Sequence, residues 1–129
     1  VSSIFAAMAE AGIPLTRRNE SRKVQFLTGH DLDGNFPNDL MNKSLTDLNT
    51  TTVIFMAKKN YTILLDFLIN QGLSKTTPAI VAASVTKKNQ KIYKTTITKA
   101  LKILSKKNVM GSPALIIYGP LNTSLIRHD

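Results

Sequence analysis

The spacing of apolar residues predicts two amphipathic helices. The clearer one has apolar residues at i, i+3, i+4, i+7 and i+8, and Gly72 follows as a helix stop. These apolar residues are Tyr61, Leu64, Leu65, Leu68 and Ile69. The second helix carries lysines on its outer face and apolar residues on the other: Ile97, Ala100, Leu101 and Leu104. Each helix therefore needs a core to pack against.

The remaining pattern predicts a third helix and five strands. The helix is Val1–Ala11, which Ser3 can cap and which Gly12 and Pro14 end. Two strands are predicted to be buried, Thr52–Met56, which is a β-branched run, and Ala79–Ala83. Val24–Thr28 is apolar enough for a strand, and Ala114–Tyr118 is a final strand that Gly119 and Pro120 end. The fifth, Gln90–Thr96, is more polar, which favours an edge strand or a hairpin partner. Asp31–Asn38 has the composition of a loop.

Strands that alternate with helices predict an α/β fold in which helices flank a mixed β-sheet. The sequence contains no internal repeat and no second apolar core, so we expect one domain over residues 1–120. Leu121–Asp129 has little periodicity and is expected to be a tail.

Composition narrows the class of protein. A chain of 129 residues with 43% hydrophobic and 19% charged residues is typical of a globular domain. It has no apolar run long enough for a membrane span and no signal-peptide pattern at its start. It also has no cysteine, which excludes disulfides, thiol catalysis and zinc–thiolate sites. We therefore expect a protein that does not bind membranes, and the absence of cysteine removes any argument for an oxidising compartment.

The formal net charge of +9 indicates an anionic partner or a lysine-rich solvated face. The lysines between Lys87 and Lys107 are spread out, and few aromatic residues lie among them. Because a nucleic-acid surface usually interleaves basic and aromatic residues, this spacing does not favour nucleic acid. Charge alone leaves the solvated face as the simpler interpretation.

The residues alone identify little catalytic machinery. His30 and His128 are the two histidines, and no carboxylate pair has the spacing of an acid–base site. The sequence has no phosphate-binding loop, dinucleotide-binding motif or zinc motif, so we expect no metal site. What remains is a basic α/β domain with polar groups at strand ends, where such sheets usually bind ligands.

The first thirty residues carry a more specific pattern. They place G-I-P-L-T at positions 12–16, then Arg17 and Arg18, and then a strand that ends in T-G-H at positions 28–30. This order resembles the middle segment of uroporphyrinogen-III C-methyltransferases, of the tetrapyrrole methylase family. The usual form there is close to G-I-P-L-T-H-R followed by V-T-G-H.

Three further blocks extend the resemblance in the same order. Residues 51–57 resemble a family strand written T-x-V-x-Y-M-G, and residues 78–90 resemble P-A-A-I-V-E-x-[GA]-T-x-P-x-Q. Residues 112–119 are similar to S-P-A-L-I-V-x-G. One block would be weak evidence, but four blocks in order are specific.

The resemblance implies an S-adenosylmethionine-dependent enzyme of the cytoplasm that is a homodimer. It transfers methyl groups to C2 and C7 of uroporphyrinogen III, which gives precorrin-2 for sirohaem or cobalamin. The chain resembles the C-terminal half only. The family's catalytic acid–base residues and its G-D-P segment belong to the N-terminal domain, so the catalytic residues remain unknown here. We therefore expect the fragment alone to be inactive.

The resemblance also implies a site. Ser2 and Ser3 match contacts to S-adenosylmethionine, and Met56 matches a methionine that lies against both methyl donor and substrate. Val85 falls at a position whose backbone meets the adenosine, and Pro113 and Ala114 line the same pocket. Arg18 matches an arginine that clamps a tetrapyrrole carboxylate, as a guanidinium fork can do. Outside the family, capping by Ser3, a core role for Met56 and solvent exposure of Arg18 are the alternatives.

Departures from the pattern indicate a divergent member. Arg17 stands where the family has His, Ala57 where it has Gly, and Lys88 where it has Pro, while Val85 is bulkier than the usual Gly or Ala. Two alternatives stay open. One is another enzyme of this superfamily, such as a precorrin or ribosomal RNA methyltransferase. The other is a non-catalytic basic module, whose binding to nucleic acid would depend on salt.

Overall fold

The computed structural model describes residue 12 and residues 22–29, 34–56, 58–83, 91–110 and 113–121. Five strands lie in this part: β1 (Lys23–Thr28), β2 (Thr50–Phe55), β3 (Pro78–Ala83), β4 (Lys91–Thr96) and β5 (Ala114–Tyr118). The α-helices are α1 (Tyr61–Asn70), α2 (Ile97–Leu104) and the short α3 (Lys107–Met110). Short 3₁₀ helices span Asn38–Leu40, Lys43–Thr46 and Lys58–Asn60. None of these described helices has the length and apolar character needed to cross a bilayer. The helix predicted over Val1–Ala11 lies outside the described residues.

The five strands form one mixed sheet in the order β1-β2-β5-β3-β4. β1 runs parallel to β2, whereas β5 runs antiparallel to both β2 and β3, and β4 runs antiparallel to β3. This confirms the predicted mixed α/β sheet. It also confirms that the polar strand β4 is at once an edge strand and the partner of β3.

The three central strands of the sheet, β2, β5 and β3, are buried on both faces. The described helices cover one face, where Leu64 and Leu68 of α1 and Ile97 of α2 share a core with Val81 and Ile116 of the sheet. A second cluster lies on the opposite face and contains no residue of these helices: Val53, Ile80, Ala82, Leu115, Ile117 and Leu121. Burial on both sides explains why β3 and β5 read as continuous apolar runs and why β2 ends in the apolar residues 53–55.

The predicted stop of α1 has a clear structural cause. Gly72 has φ +94°, a left-handed conformation that glycine adopts without a Cβ penalty. Its N–H donates to Ile69 O at 3.0 Å, and the N–H of Leu73 donates to Leu68 O at 3.0 Å. These two bonds form a Schellman motif, which satisfies carbonyls that the helix end leaves free.

Three local predictions differ from the structure. The strand predicted over Thr52–Met56 begins earlier, at Thr50, because pairing with β1 buries the threonines at its start. It ends at Phe55, since Met56 turns away with φ 57°. Leu101, predicted on the apolar face of α2, is exposed. Leu121, predicted as the first tail residue, is 4% exposed and packs in the second cluster. Residues 122–129 lie outside the described part.

Candidate functional site

The strand register brings several chain segments to one end of the sheet. Thr28 pairs with Phe55 at the carboxyl ends of β1 and β2. Ala83, at the carboxyl end of β3, pairs with Ala114 at the amino end of β5, and Phe55 pairs with the neighbouring Leu115. We call this end of the sheet, defined by Thr28, Phe55, Ala83 and Ala114, the candidate edge. Ligands of open α/β sheets usually bind beyond such strand ends.

The candidate edge brings together three of the predicted site residues. Met56 directly follows β2, Pro113 directly precedes β5, and Ala114 is the first residue of β5. Ser2, Ser3, Arg18 and Val85 lie outside the described residues. The structure therefore juxtaposes part of the predicted cofactor pocket, from segments that are more than fifty positions apart in sequence.

The conformation of Met56 distinguishes it from a core residue. Among the described residues it is the non-glycine residue with a positive φ, at 57°. A left-handed conformation costs a non-glycine residue about 1–2 kcal/mol. The side chain is 59% exposed, so the alternative of a core methionine is wrong. Residues with such backbone strain cluster at functional sites, which makes Met56 a candidate site residue.

Asn60, which the sequence analysis did not identify, links two neighbouring chain segments by hydrogen bonds. Asn60 is 6% exposed, and its Nδ2 donates to Gly29 O at 2.9 Å and to Gly34 O at 3.0 Å. The N–H of Gly29 in turn donates to Phe55 O at 2.7 Å. From sequence, an Asn that directly precedes an apolar helix reads as an N-cap. No side-chain capping bond forms, so the sequence carried no signal for the role seen here.

Aromatic and basic side chains adjoin the candidate edge. Phe26 and Phe55 stack with ring centroids 6.4 Å apart and planes inclined by 22°. Phe26 is 41% exposed, so the pair presents apolar surface near the end of β2, which Phe55 forms. Lys58 and Lys59 follow Met56 in a 3₁₀ helix, and Lys91 pairs with Ala83 across β3 and β4. The Nζ of Lys58 donates to Val109 O at 3.2 Å, which ties this helix to α3.

The described residues contain no evident acid–base or metal centre. No cluster of His, Cys, Asp and Glu with metal-binding geometry occurs among them. Burial raises the pKa of both Tyr61 and Tyr118 well above the ordinary value. Their hydroxyls donate to Ile97 O at 2.6 Å and to Leu45 O at 2.8 Å, so both act as buried tethers between elements.

One cleft of the described chain lies away from the candidate edge. It has a volume of about 250 Å³ and lies at the amino ends of β2 and β3, where Leu45, Leu48, Leu73, Pro78 and Tyr118 line it. Of the predicted site residues that the structure describes, Met56, Pro113 and Ala114, none borders it. We place the candidate site at the opposite end because the strained Met56 and the open strand ends are there.

Comparison with known proteins identifies the family. Residues 1–101 match the model of the tetrapyrrole (corrin/porphyrin) methylases. The chain belongs to this family. Curated relatives include the siroheme synthase of Psychrobacter arcticus, 33% identical over 129 residues, which are 100% of this chain and 23% of that protein. The siroheme synthase of Chromobacterium violaceum is 35% identical over 119 residues, 92% of this chain and 25% of that protein. The chain thus spans about a quarter of these relatives.

Solved structures confirm the fold of a tetrapyrrole methylase. A cobalt precorrin-4 methyltransferase of cobalamin biosynthesis superposes with a TM-score of 0.74 at 28% identity, over 91% of this chain and 48% of that one. The uroporphyrin-III C-methyltransferase of Thermus thermophilus, complexed with S-adenosylhomocysteine, has a TM-score of 0.66 at 17% identity, over 88% and 48%. The second likeness shows the fold alone. The predicted family and fold class are therefore confirmed for this tetrapyrrole methylase chain.

Proposed function

We propose that this chain is the C-terminal part of an S-adenosylmethionine-dependent methyltransferase that converts uroporphyrinogen III to precorrin-2, on the path to sirohaem or cobalamin. One observation carries the proposal. Met56, Pro113 and Ala114, three residues that the family resemblance assigns to the cofactor pocket, meet at one edge of the sheet. The similarity to siroheme synthases supports the choice of reaction. In this proposal the domain that was predicted over residues 1–120 also includes the buried Leu121, and the tail follows it.

The described residues fit part of an S-adenosylmethionine site. Ala83 and Ala114 pair across β3 and β5 and carry small side chains; Ala114 is partly exposed, whereas Ala83 is buried. Met56 presents an exposed apolar side chain between the ends of β1 and β5. We assign the remaining contacts to Ser2, Ser3 and Val85. When bound, the cofactor supplies an electrophilic methyl group.

The substrate side of the proposal rests on charge. Uroporphyrinogen III carries eight carboxylates, and the chain has a net charge of +9. Lys58, Lys59 and Lys91 adjoin the candidate edge, where they can attract such a polyanion. We assign Arg18 to a bidentate clamp on one carboxylate, because a guanidinium matches that geometry better than an ammonium does.

The contribution of this chain is orientation. Methyl transfer requires the nucleophilic carbon and the methyl group to be held a few ångström apart and in line. Met56 and the stacked Phe26 and Phe55 offer exposed apolar surface against which both partners can pack. We assign proton transfer to residues outside this chain, and the catalytic acid and base remain unknown.

We also propose a cytoplasmic homodimer, as the family resemblance implies. Two-fold association is the commonest oligomeric form of soluble proteins. Light scattering of the chain should give twice the monomer mass of 14.2 kDa. A monomer at high protein concentration would contradict this part of the proposal.

A second candidate is a methyltransferase that acts later on the corrin precursor. The cobalt precorrin-4 methyltransferase favours it, with a TM-score of 0.74 and 28% identity. The two candidates predict different substrates for the same site. The full-length protein should be incubated with methyl-labelled S-adenosylmethionine and either uroporphyrinogen III or a cobalt precorrin. Two labelled methyl groups on uroporphyrinogen III support the proposal, whereas labelling of the cobalt precorrin alone supports the alternative. No label on either substrate contradicts both.

A further inference from the structure

The turn that carries Met56 is fastened at both ends to a single residue of the neighbouring chain segment. At the start of the turn, Phe55 O accepts from the N–H of Gly29 at 2.7 Å. At its end, the Nδ2 of Asn60 donates to the carbonyl of the same Gly29 at 2.9 Å. The left-handed Met56 lies between these two attachments. The position of Met56 relative to β1 therefore depends on both hydrogen bonds.

The environment of Asn60 explains why its amide is well suited to this task. Both hydrogens of the amide nitrogen are used, because the same Nδ2 also donates to Gly34 O at 3.0 Å. The residue is buried, and a buried carbonyl without a donor is destabilising. Asn60 directly precedes α1, yet its side chain makes no capping bond to that helix. Its side chain thus serves the turn and the end of β1.

We propose that Asn60 is the positioning residue for Met56: its buried amide closes the turn onto Gly29 and fixes where the methionine stands at the candidate edge. This inference rests on the proposed function, in which Met56 contacts methyl donor and substrate. A displacement of about 1 Å at a reacting centre can lower a rate as much as a hundredfold. Asn60 touches neither partner and acts through Met56 alone.

The substitution Asn60→Asp tests this role because it keeps the shape of the side chain. A carboxylate offers no hydrogen, and its oxygens would face the carbonyl oxygens of Gly29 and Gly34. The matched control is Tyr118→Phe, which also removes one buried side-chain hydrogen bond, to Leu45 O. Tyr118 is the last residue of β5, at the end of the sheet opposite the candidate edge. If Asn60→Asp does not fold, Asn60→Ala removes the same donors without adding charge.

The first measurement is hydrogen exchange, which needs no catalytic activity. In the full-length protein, Asn60→Asp should speed exchange of a peptide that covers residues 22–29, because the Gly29 carbonyl loses its Asn60 donor and the bond from the Gly29 N–H to Phe55 O then opens more often. We expect an increase of about tenfold or more, as a loosened local segment shows. The peptide over α2 should exchange as in the wild type, and Tyr118→Phe should leave residues 22–29 unchanged. Equal exchange of residues 22–29 in wild type and Asn60→Asp would overturn the inference.

The second measurement is a double-mutant cycle on the rate of methyl transfer to uroporphyrinogen III. Met56→Ala and Asn60→Asp should each lower kcat by about tenfold to a hundredfold. Because Asn60 acts through Met56, the double variant should be no more than about twofold slower than the slower single variant. If the fold-loss of kcat in the double variant equals the product of the two single losses, Asn60 acts independently of Met56 and has a merely structural role. That result would overturn the inference. If the wild-type protein methylates no tetrapyrrole, the proposed function fails, and hydrogen exchange alone decides on Asn60.

Discussion

The conformation of Met56 predicts an unusual order of stability among its variants. Most residues have a negative φ, and there Ala is more stable than Gly by about 0.5–1 kcal/mol, because glycine loses more conformational freedom on folding. Met56 has φ 57°. At this position, Gly avoids the left-handed cost of about 1–2 kcal/mol that Ala and Met both bear. Met56→Gly should therefore be more stable than Met56→Ala by about 0.5–1 kcal/mol.

The same variants separate stability from function. Met56 is 59% exposed, so about two fifths of the side chain is buried. Since full burial of a methionine contributes roughly 1.5–3 kcal/mol, truncation to Ala should cost about 0.6–1.2 kcal/mol. In Met56→Gly, removal of the left-handed backbone strain offsets most of the free energy that is lost with the side chain. Both variants should nevertheless transfer methyl groups more slowly, because donor and substrate lose the surface that orients them.

Urea denaturation of the protein and its variants measures the free energies of unfolding. The matched control is Ile63, which is also large, apolar and half-exposed but lies in α1. There, Ile63→Gly should be less stable than Ile63→Ala by about 1 kcal/mol. If Gly is also the less stable variant at position 56, Met56 does not have the left-handed conformation. If Met56→Ala and Met56→Gly keep the wild-type rate of methyl transfer, its place in the site is wrong.

Three further predictions follow from single features. Gly119→Ala should lower the free energy of unfolding by about 2–5 kcal/mol, because φ is +135° and a Cβ would lie 2.6 Å from Thr50 O. Gly72→Ala is the control: φ is +94° and no atom lies within 4 Å of the added Cβ, so the free energy of unfolding should fall by only about 1–2 kcal/mol. Urea denaturation measures both values. Arg18→Ala in the full-length protein should weaken tetrapyrrole binding about tenfold to a hundredfold, from the loss of one charge-assisted bond of about 1.5–3 kcal/mol. Calorimetry should show unchanged affinity for S-adenosylhomocysteine; equal losses for both ligands would refute the clamp. Burial raises the pKa of Tyr61 and Tyr118, so the folded state keeps protons that the unfolded chain releases near pH 10.0. The free energy of unfolding should therefore be highest below that pH and should fall as the pH rises above it. A double variant with Phe at both positions should flatten this fall, and an unchanged pH profile would contradict it.

Periodicity and turn chemistry predicted most of the fold of the described chain. The spacing from Tyr61 to Ile69 and the following Gly72 located α1, because that helix has one buried face and a Schellman stop. The polar character of 90–96 identified the edge strand, since a strand with one neighbour buries less of its surface. Errors occurred where tertiary contacts outweigh local pattern. Thr50 joins β2 because its partner Lys23 is available in β1, which no local pattern reveals.

From the sequence, only the site residues that lie in a family motif could be predicted. The family resemblance pointed to Met56, Pro113 and Ala114, and the strand register brings these residues to one edge. The role of Asn60 was not predictable, because it depends on Gly29 and Gly34, which lie 31 and 26 positions away in sequence. The strain at Met56 was also invisible, since residue type does not specify φ.

The central claim, that the candidate edge binds the methyl donor beside Met56, is tested most directly by nuclear magnetic resonance. The full-length protein should be prepared with methionine labelled at the ε-methyl carbon, and the Met56 signal assigned from Met56→Leu. Addition of saturating S-adenosylhomocysteine should shift the Met56 signal. The signal of Met41, which packs against the main core, should hardly move. An unshifted Met56 signal in a sample that binds the ligand by calorimetry would contradict the account.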